Sequence, residues 1–155
     1  MKHTIQALVE NRFGVLARVA SLFSARGYNI DSLAVGETQD PTISCMTIVV
    51  DAPDERILEQ IKKQLNKLID VITVVDFTRK EYIDRELLLV KVLKKDSKYI
   101  ERLTKEYPIK IIEEKEDFFI LEVCADRHQI EDILRELRRI GIKELVRTGR
   151  IAISK

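Results

Sequence analysis

The stretch that decides the fold runs from Thr4 to Leu33: "TIQALVENRFGVLARVASLFSARGYNIDSL". Its first seven residues alternate. Ile5, Ala7 and Val9 face one way while Gln6 and Glu10 face the other, the pattern of a half-buried strand. From Gly14 the period changes. Val15, Leu16, Val19, Leu22 and Phe23 form the stripe of an amphipathic helix. Gly27 is placed to end it, because the residue after a helix often turns left-handed. A strand, a sharp turn through "NRFG", a helix and a second strand opening at "YNIDSL" therefore lie within thirty residues.

Outward from this stretch, "YNIDSLAVGET" and "TISCMTIVVD" read as two strands around the turn "QDPT". Pro53 is suited to open a helix with the stripe Ile57, Leu58, Ile61, Leu65 and Leu68, and Glu59 and Lys63 are spaced to pair on its outer face. "VITVVDF" closes the unit as a strand, giving βαββαβ. The charged segment "TRKEYIDRE" reads as a linker. The same order then recurs: strand "LLLVKVL"; a helix capped by Asp96 or Ser97, bearing Ile100, Leu103 and Tyr107; strands "IKIIEE" and "FFILEVCA"; a helix capped by Asp126 and closed by Gly141; and a terminal strand with a break at Gly149. The expectation is an α+β chain of two ferredoxin-like βαββαβ domains, each an antiparallel sheet with helices on one face. The boundaries are 1–78 and 87–155, with 79–86 as the linker. Such units leave a sheet face and an edge uncovered, which points to a dimer or higher assembly.

Composition narrows the function classes. The 155 residues carry 27 Lys and Arg against 26 Asp and Glu, so nothing favours a nucleic acid or an anionic membrane. No apolar run approaches the roughly 20 residues that span a bilayer. "MKHTIQALVE" lacks a signal-peptide pattern, and the expected location is the cytoplasm. Cys45 and Cys124 lie in apolar strands without CxxC spacing and read as buried thiols. His3 and His128 have no partner at metal-ligand spacing. There is no GxSxG elbow, GxGxxG run or phosphate-binding GxxxxGK[ST] loop. Arg12 sits where an acylphosphatase-like loop would carry its arginine, without the glycines around it. Phe118 and Phe119 are adjacent, so only one can face outward to stack a base. The expectation is a protein that is not an enzyme and uses no cofactor or metal.

The first loop remains. N–H groups at the helix start after Gly14 can receive a small anion, and Asn11 offers a donor and an acceptor beside them. Asn29 lies at the far end of a helix about 20 Å long, too far to share a small ligand within one chain. If two chains pair, Asn29 of one can meet the Asn11 loop of the other. A free α-amino acid would offer the matching carboxylate and ammonium. The plainer alternative is that Asn11 caps the helix entry and Asn29 is a turn residue.

"VENRFGVLARVASLFSARGYNIDSLAVGETQDPTISCMTIVV" and the later "LEQIKKQLNKLIDVITVVD" resemble the regulatory (small) subunit of acetolactate synthase, also called acetohydroxyacid synthase. "RELLLVKV" is similar to that family's entry to its second domain, and "LVRTGRIAIS" also fits. The resemblance implies an N-terminal ACT domain, a module that binds amino acids at its dimer interface. It implies a non-catalytic subunit that binds the thiamine-diphosphate-dependent large subunit, activates it and confers feedback inhibition by valine in branched-chain amino acid biosynthesis. The positions matching the effector site are Asn11, Gly14, Val15, Leu16, Asn29 and Ile30. Val15, Leu16 and Ile30 would wall the isopropyl group, or serve only as core. The alternative function is a freestanding amino acid sensor acting on another partner.

Overall fold

The computed structural model describes residues 1–155. The elements are β1 (Lys2–Glu10), α1 (Val15–Ala25), β2 (Ile30–Glu37), β3 (Ile43–Asp51), α2 (Glu55–Lys67) and β4 (Val71–Asp76). They continue with β5 (Tyr82–Leu93), α3 (Ser97–Glu106), β6 (Ile109–Glu114), β7 (Phe118–Ala125), α4 (Arg127–Ile140), β8 (Ile142–Arg147) and β9 (Ile151–Ser154). They fall into two compact units. One comprises Met1–Ile83 with Ala152–Lys155, the other Asp84–Ile151. Strand β5 starts at Tyr82, within the charged segment between the two repeats.

In the first unit the strand order is β2-β3-β1-β4, and each pairing is antiparallel. In the second, β6-β7-β5-β8 repeats that order, again antiparallel. The expected α+β class with two ferredoxin-like sheets is the fold observed. The first core is built where strand alternation meets helix periodicity. Ile5, Ala7 and Val9 of β1 and Met46, Ile48 and Val50 of β3 cluster with Val19 and Phe23 of α1 and Leu58, Ile61 and Leu65 of α2. The second core joins Leu88, Val90 and Val92 with Leu121, Val123, Ile130, Ile133 and Leu137 by the same logic.

Local chemistry explains the helix ends. Asp54, Asp96 and Asp126 each cap a helix, their carboxylates accepting N–H groups of the first turn. Asp96 rather than Ser97 caps α3, and α2 starts behind Asp54 rather than on Pro53. On the outer face of α2, Glu59 pairs with Lys62 at 2.7 Å, three residues on, in place of Lys63; Lys62 also reaches Asp76 at 3.5 Å. The cysteines are not both buried. Cys45 is half-buried and Cys124 is exposed. Strand alternation is the reason: Val123 and Ala125 point into the core, so Cys124 between them points to the uncovered face.

The last residues return to the first unit. Gln6 Nε2 donates to the Ala152 carbonyl at 2.8 Å, Lys155 N donates to the Glu81 carbonyl at 3.1 Å, and Ala152 is buried. A period-2 reading of "RIAIS" gives a strand but not its partner. Deleting residues 152–155 removes these bonds and the β9–β5 pairing. The expected result is a lower thermal midpoint, with a stability loss of about 1–3 kcal/mol. An unchanged midpoint would show that the returning strand contributes nothing to the first unit.

Candidate functional site

The junction of β1 and α1 is built by one residue in an unusual backbone region. Gly14 has φ +80° and ψ −6°, the left-handed region that side-chain-bearing residues avoid. The chain thereby turns directly from strand into helix. Gly14 also supplies no side-chain cap, and no acidic residue lies in the first turn of α1. The other three helices spend a carboxylate on this task. Here the N-terminal N–H groups and the positive end of the helix dipole have no side-chain acceptor. The Val15 N–H reaches back to the Arg12 carbonyl at 3.4 Å.

Two anchors hold the loop on either side. On the β2–β3 side, Asn11 N donates to the Thr42 carbonyl at 2.7 Å, and Asn11 Nδ2 donates to the Pro41 carbonyl at 2.9 Å and to Glu37 Oε1 at 3.4 Å. The turn it grips is itself fixed. Asp40 accepts from Thr42 Oγ1 at 2.7 Å and Thr42 N at 2.9 Å, and these bonds hold its carboxyl below the ordinary aspartate pKa. On the β4 side, Glu10 N donates to the Asp70 carbonyl at 2.8 Å, and Arg18 Nε donates to Asp70 Oδ2 at 2.7 Å. Asp70 is buried, while Arg18 is half-exposed. A Cβ built on Gly14 would lie 3.0 Å from Arg18 Nη1, so the guanidinium stands directly beside the open helix end.

Each expected site residue has a definite place. Asn11 is exposed at the loop, beside a depression lined by Glu10, Arg12, Thr42, Ile43 and Ile72. Leu16 is half-exposed on the first turn of α1, while Val15 is buried in the core cluster. Ile30 is partly buried against the same cluster. Asn29 is exposed at the start of β2, with Nδ2 donating to Asp31 Oδ1 at 2.8 Å. Within one chain Asn11 and Asn29 do not meet; the 11 residues of α1, about 16 Å of helix, separate their ends. Both amides share one feature. In each, the amide nitrogen donates to a protein oxygen, so the amide oxygen is the atom that remains to accept.

Arg18 and Asp70 are the residues that the sequence reading missed. Arg18 had a readable signal: it stands four residues after Gly14, and helical side chains lean toward the N-terminus. Asp70 had none, being 52 residues from its partner. No group of three His, Cys, Asp or Glu residues converges as a metal site, and no helix is long and apolar enough to cross a membrane.

Comparisons with known proteins identify the family. Residues 5–73 match the family model described as AHAS small subunit-like ACT domain, and residues 85–155 match that described as small subunit of acetolactate synthase. The probable acetolactate synthase small subunit of Archaeoglobus fulgidus is 46% identical over 155 residues, spanning 99% of this chain and 96% of the relative. The acetolactate synthase small subunit of Aquifex aeolicus is 40% identical over 157 residues, spanning 99% of this chain and 81% of the relative. The crystal structure of the small subunit from Thermotoga maritima superposes with a TM-score of 0.88 at 34% identity, covering 100% of this chain and 98% of that one. Identity of this extent over nearly the full length of both chains places the protein in the small-subunit family of acetolactate synthase.

Proposed function

We propose that this protein is the regulatory subunit that activates the catalytic subunit of acetolactate synthase and makes it sensitive to valine, which binds where two copies of the first unit meet. The observation that carries the reading is the uncapped, glycine-opened start of α1, flanked by Arg18 and Asn11. The helix N–H groups receive the valine carboxylate, and asparagine oxygens receive its ammonium. In this reading Leu16 of one chain and Ile30 of the other face the valine side chain, and Val15, buried in the core, backs Leu16. The chemistry is binding alone; catalysis, with its thiamine diphosphate, resides in the large subunit. The working location is the cytoplasm.

Strand register supports the two-chain arrangement. Strand β2 is an edge of its sheet, and its centre, "SLAVG", carries no charge or proline to guard it. Antiparallel pairing of β2 with its copy about the Leu33–Ala34 midpoint sets Ile30 opposite Glu37 of the second chain. Asn29 then falls one step beyond, beside the Thr38 position. Glu37 is already bonded to Asn11. The same two-fold that closes the open edge thus brings Asn29 of one chain to the Asn11 loop of the other. We assign effector binding to 1–78, the connection to 79–86 and the second domain to 87–155, with β5 already under way at Tyr82 and Ala152–Lys155 packing with the first unit.

The test is to titrate valine into the catalytic subunit reconstituted with this protein. Activity should rise on mixing and fall again with valine. Valine binding without any effect on the enzyme would favour a freestanding sensor instead. In the same assay Gly14→Asp should abolish valine inhibition and keep activation. Its carboxylate occupies the anion position, and aspartate tolerates the left-handed backbone better than most residues. Asn29→Ala should weaken valine by about tenfold to a hundredfold, the loss of one hydrogen bond to a charged group. Calorimetry showing ordinary valine affinity in Gly14→Asp would remove the anion site from the account.

A further inference from the structure

Hydrophobic side chains scattered singly on a surface are ordinary, whereas apolar groups gathered at one place mark a contact. In the first unit Phe13 is fully exposed and Ile69 is 95% exposed, and Ile72 is half-exposed. Phe13 stands in the loop between β1 and α1, Ile69 in the turn between α2 and β4, and Ile72 at the start of β4. These segments are neighbours. Val9 is the register partner of Val71, Glu10 is bonded to Asp70, and Arg18 of α1 reaches Asp70 as well. Ile72 lines the same depression as Asn11 and Arg12. Three exposed apolar side chains therefore stand on segments that meet at one end of the unit. Polar groups rim them, including the Arg12–Glu10 pair at 3.3 Å and the Arg18–Asp70 pair at 2.7 Å. An apolar centre with a polar rim is the anatomy of a protein interface. The unit's own fold does not need them, since none of the three belongs to its core cluster.

We infer that Phe13, Ile69 and Ile72 are the surface on which the catalytic subunit of acetolactate synthase docks. The occupant follows from the family and from the sheet. Membership of the small-subunit family supplies a large-subunit partner, and the inference rests on that assignment. The competing occupant, a second copy of this chain, is the one proposed above for β2, whereas Ile69 and Ile72 adjoin β4 at the opposite edge of the sheet. The position also explains how an effector is felt. Phe13 lies between Asn11 and Gly14 in one loop, so a ligand that fixes the loop fixes the side chain presented to the enzyme. The coupling then needs no long path: one four-residue turn touches effector and partner.

The experiment uses full-length protein. Phe13→Asp and Ile69→Asp are each mixed with the purified catalytic subunit of the same organism, and association is measured by titration of activity and by sedimentation. Valine affinity and self-association of each variant are measured alone. Each substitution should weaken association about tenfold to a hundredfold, as loss of an apolar anchor does. Self-association should stay as in the wild type for every variant, and Ile69→Asp, which lies in the α2–β4 turn outside the effector loop, should also keep wild-type valine affinity. Phe13→Ser and Ile69→Ser serve if a buried-charge argument or poor folding clouds the aspartates. Wild-type association in the folded variants would overturn the inference. Loss of self-association would assign the patch to a second copy and overturn it equally. If the wild-type protein itself fails to bind the catalytic subunit, the regulatory-subunit reading falls first, and the docking surface with it.

Discussion

The left-handed turn at Gly14 is the constraint on which the candidate site of this protein depends. With φ at +80°, the chain enters α1 without the residue that would otherwise cap it. A capping carboxylate there would complete the helix and close the proposed anion position together. Its absence leaves donors that α2, α3 and α4 have already committed to Asp54, Asp96 and Asp126. The turn is held from both flanks by bonds that reach far along the chain. Thr42 and Pro41 lie on one side and Asp70 on the other. A loop so fixed keeps its geometry in advance of a ligand, and preorganisation lowers the entropy lost on binding.

The two units share one topology, and only the first carries the candidate site. Both have the order in which the second strand lies at an edge and the first and third are central. They differ at equivalent ends. The strand that opens the second unit is followed by α3, whose Asp96 accepts from Tyr99 N at 3.0 Å. The edge strand β6 carries Lys110, Glu113 and Glu114, while the centre of β2 has no charge. Charged edges resist strand addition, and uncharged ones invite it. Fold repetition therefore does not imply functional repetition.

Much of this was readable from residues because it is local. Ile5, Ala7 and Val9 named their sheet face, the stripes of α2 and α4 named their core positions, and Asp126 and Gly27 marked helix ends. Leu16 belongs to the apparent stripe of α1 but is half-exposed, because it lies at the margin of the face that Val15, Val19 and Phe23 bury. Cys124 looked buried by its apolar neighbours, but its place in the alternation puts it outside. What stayed unreadable is long-range. Asp70 meets Arg18, Gln6 meets Ala152, and Asn11 meets Pro41 only after the sheets form, and no period encodes such pairs. The candidate asparagines were legible as polar punctuation at two helix ends. Their proposed use across two chains rests on the β2 edge, which only the strand order reveals.

The central claim is that each valine site takes Asn11 from one chain and Asn29 from the other. A dimer assembled from one Asn11→Ala chain and one Asn29→Ala chain tests it most directly. If the site spans the interface, this mixed dimer holds one intact site and one doubly damaged site. Calorimetry on the isolated heterodimer should then find one valine per dimer bound with wild-type affinity. If each site lies within a single chain, both are singly damaged and no tight binding is seen; that result, with both chains folded and paired, would contradict the account.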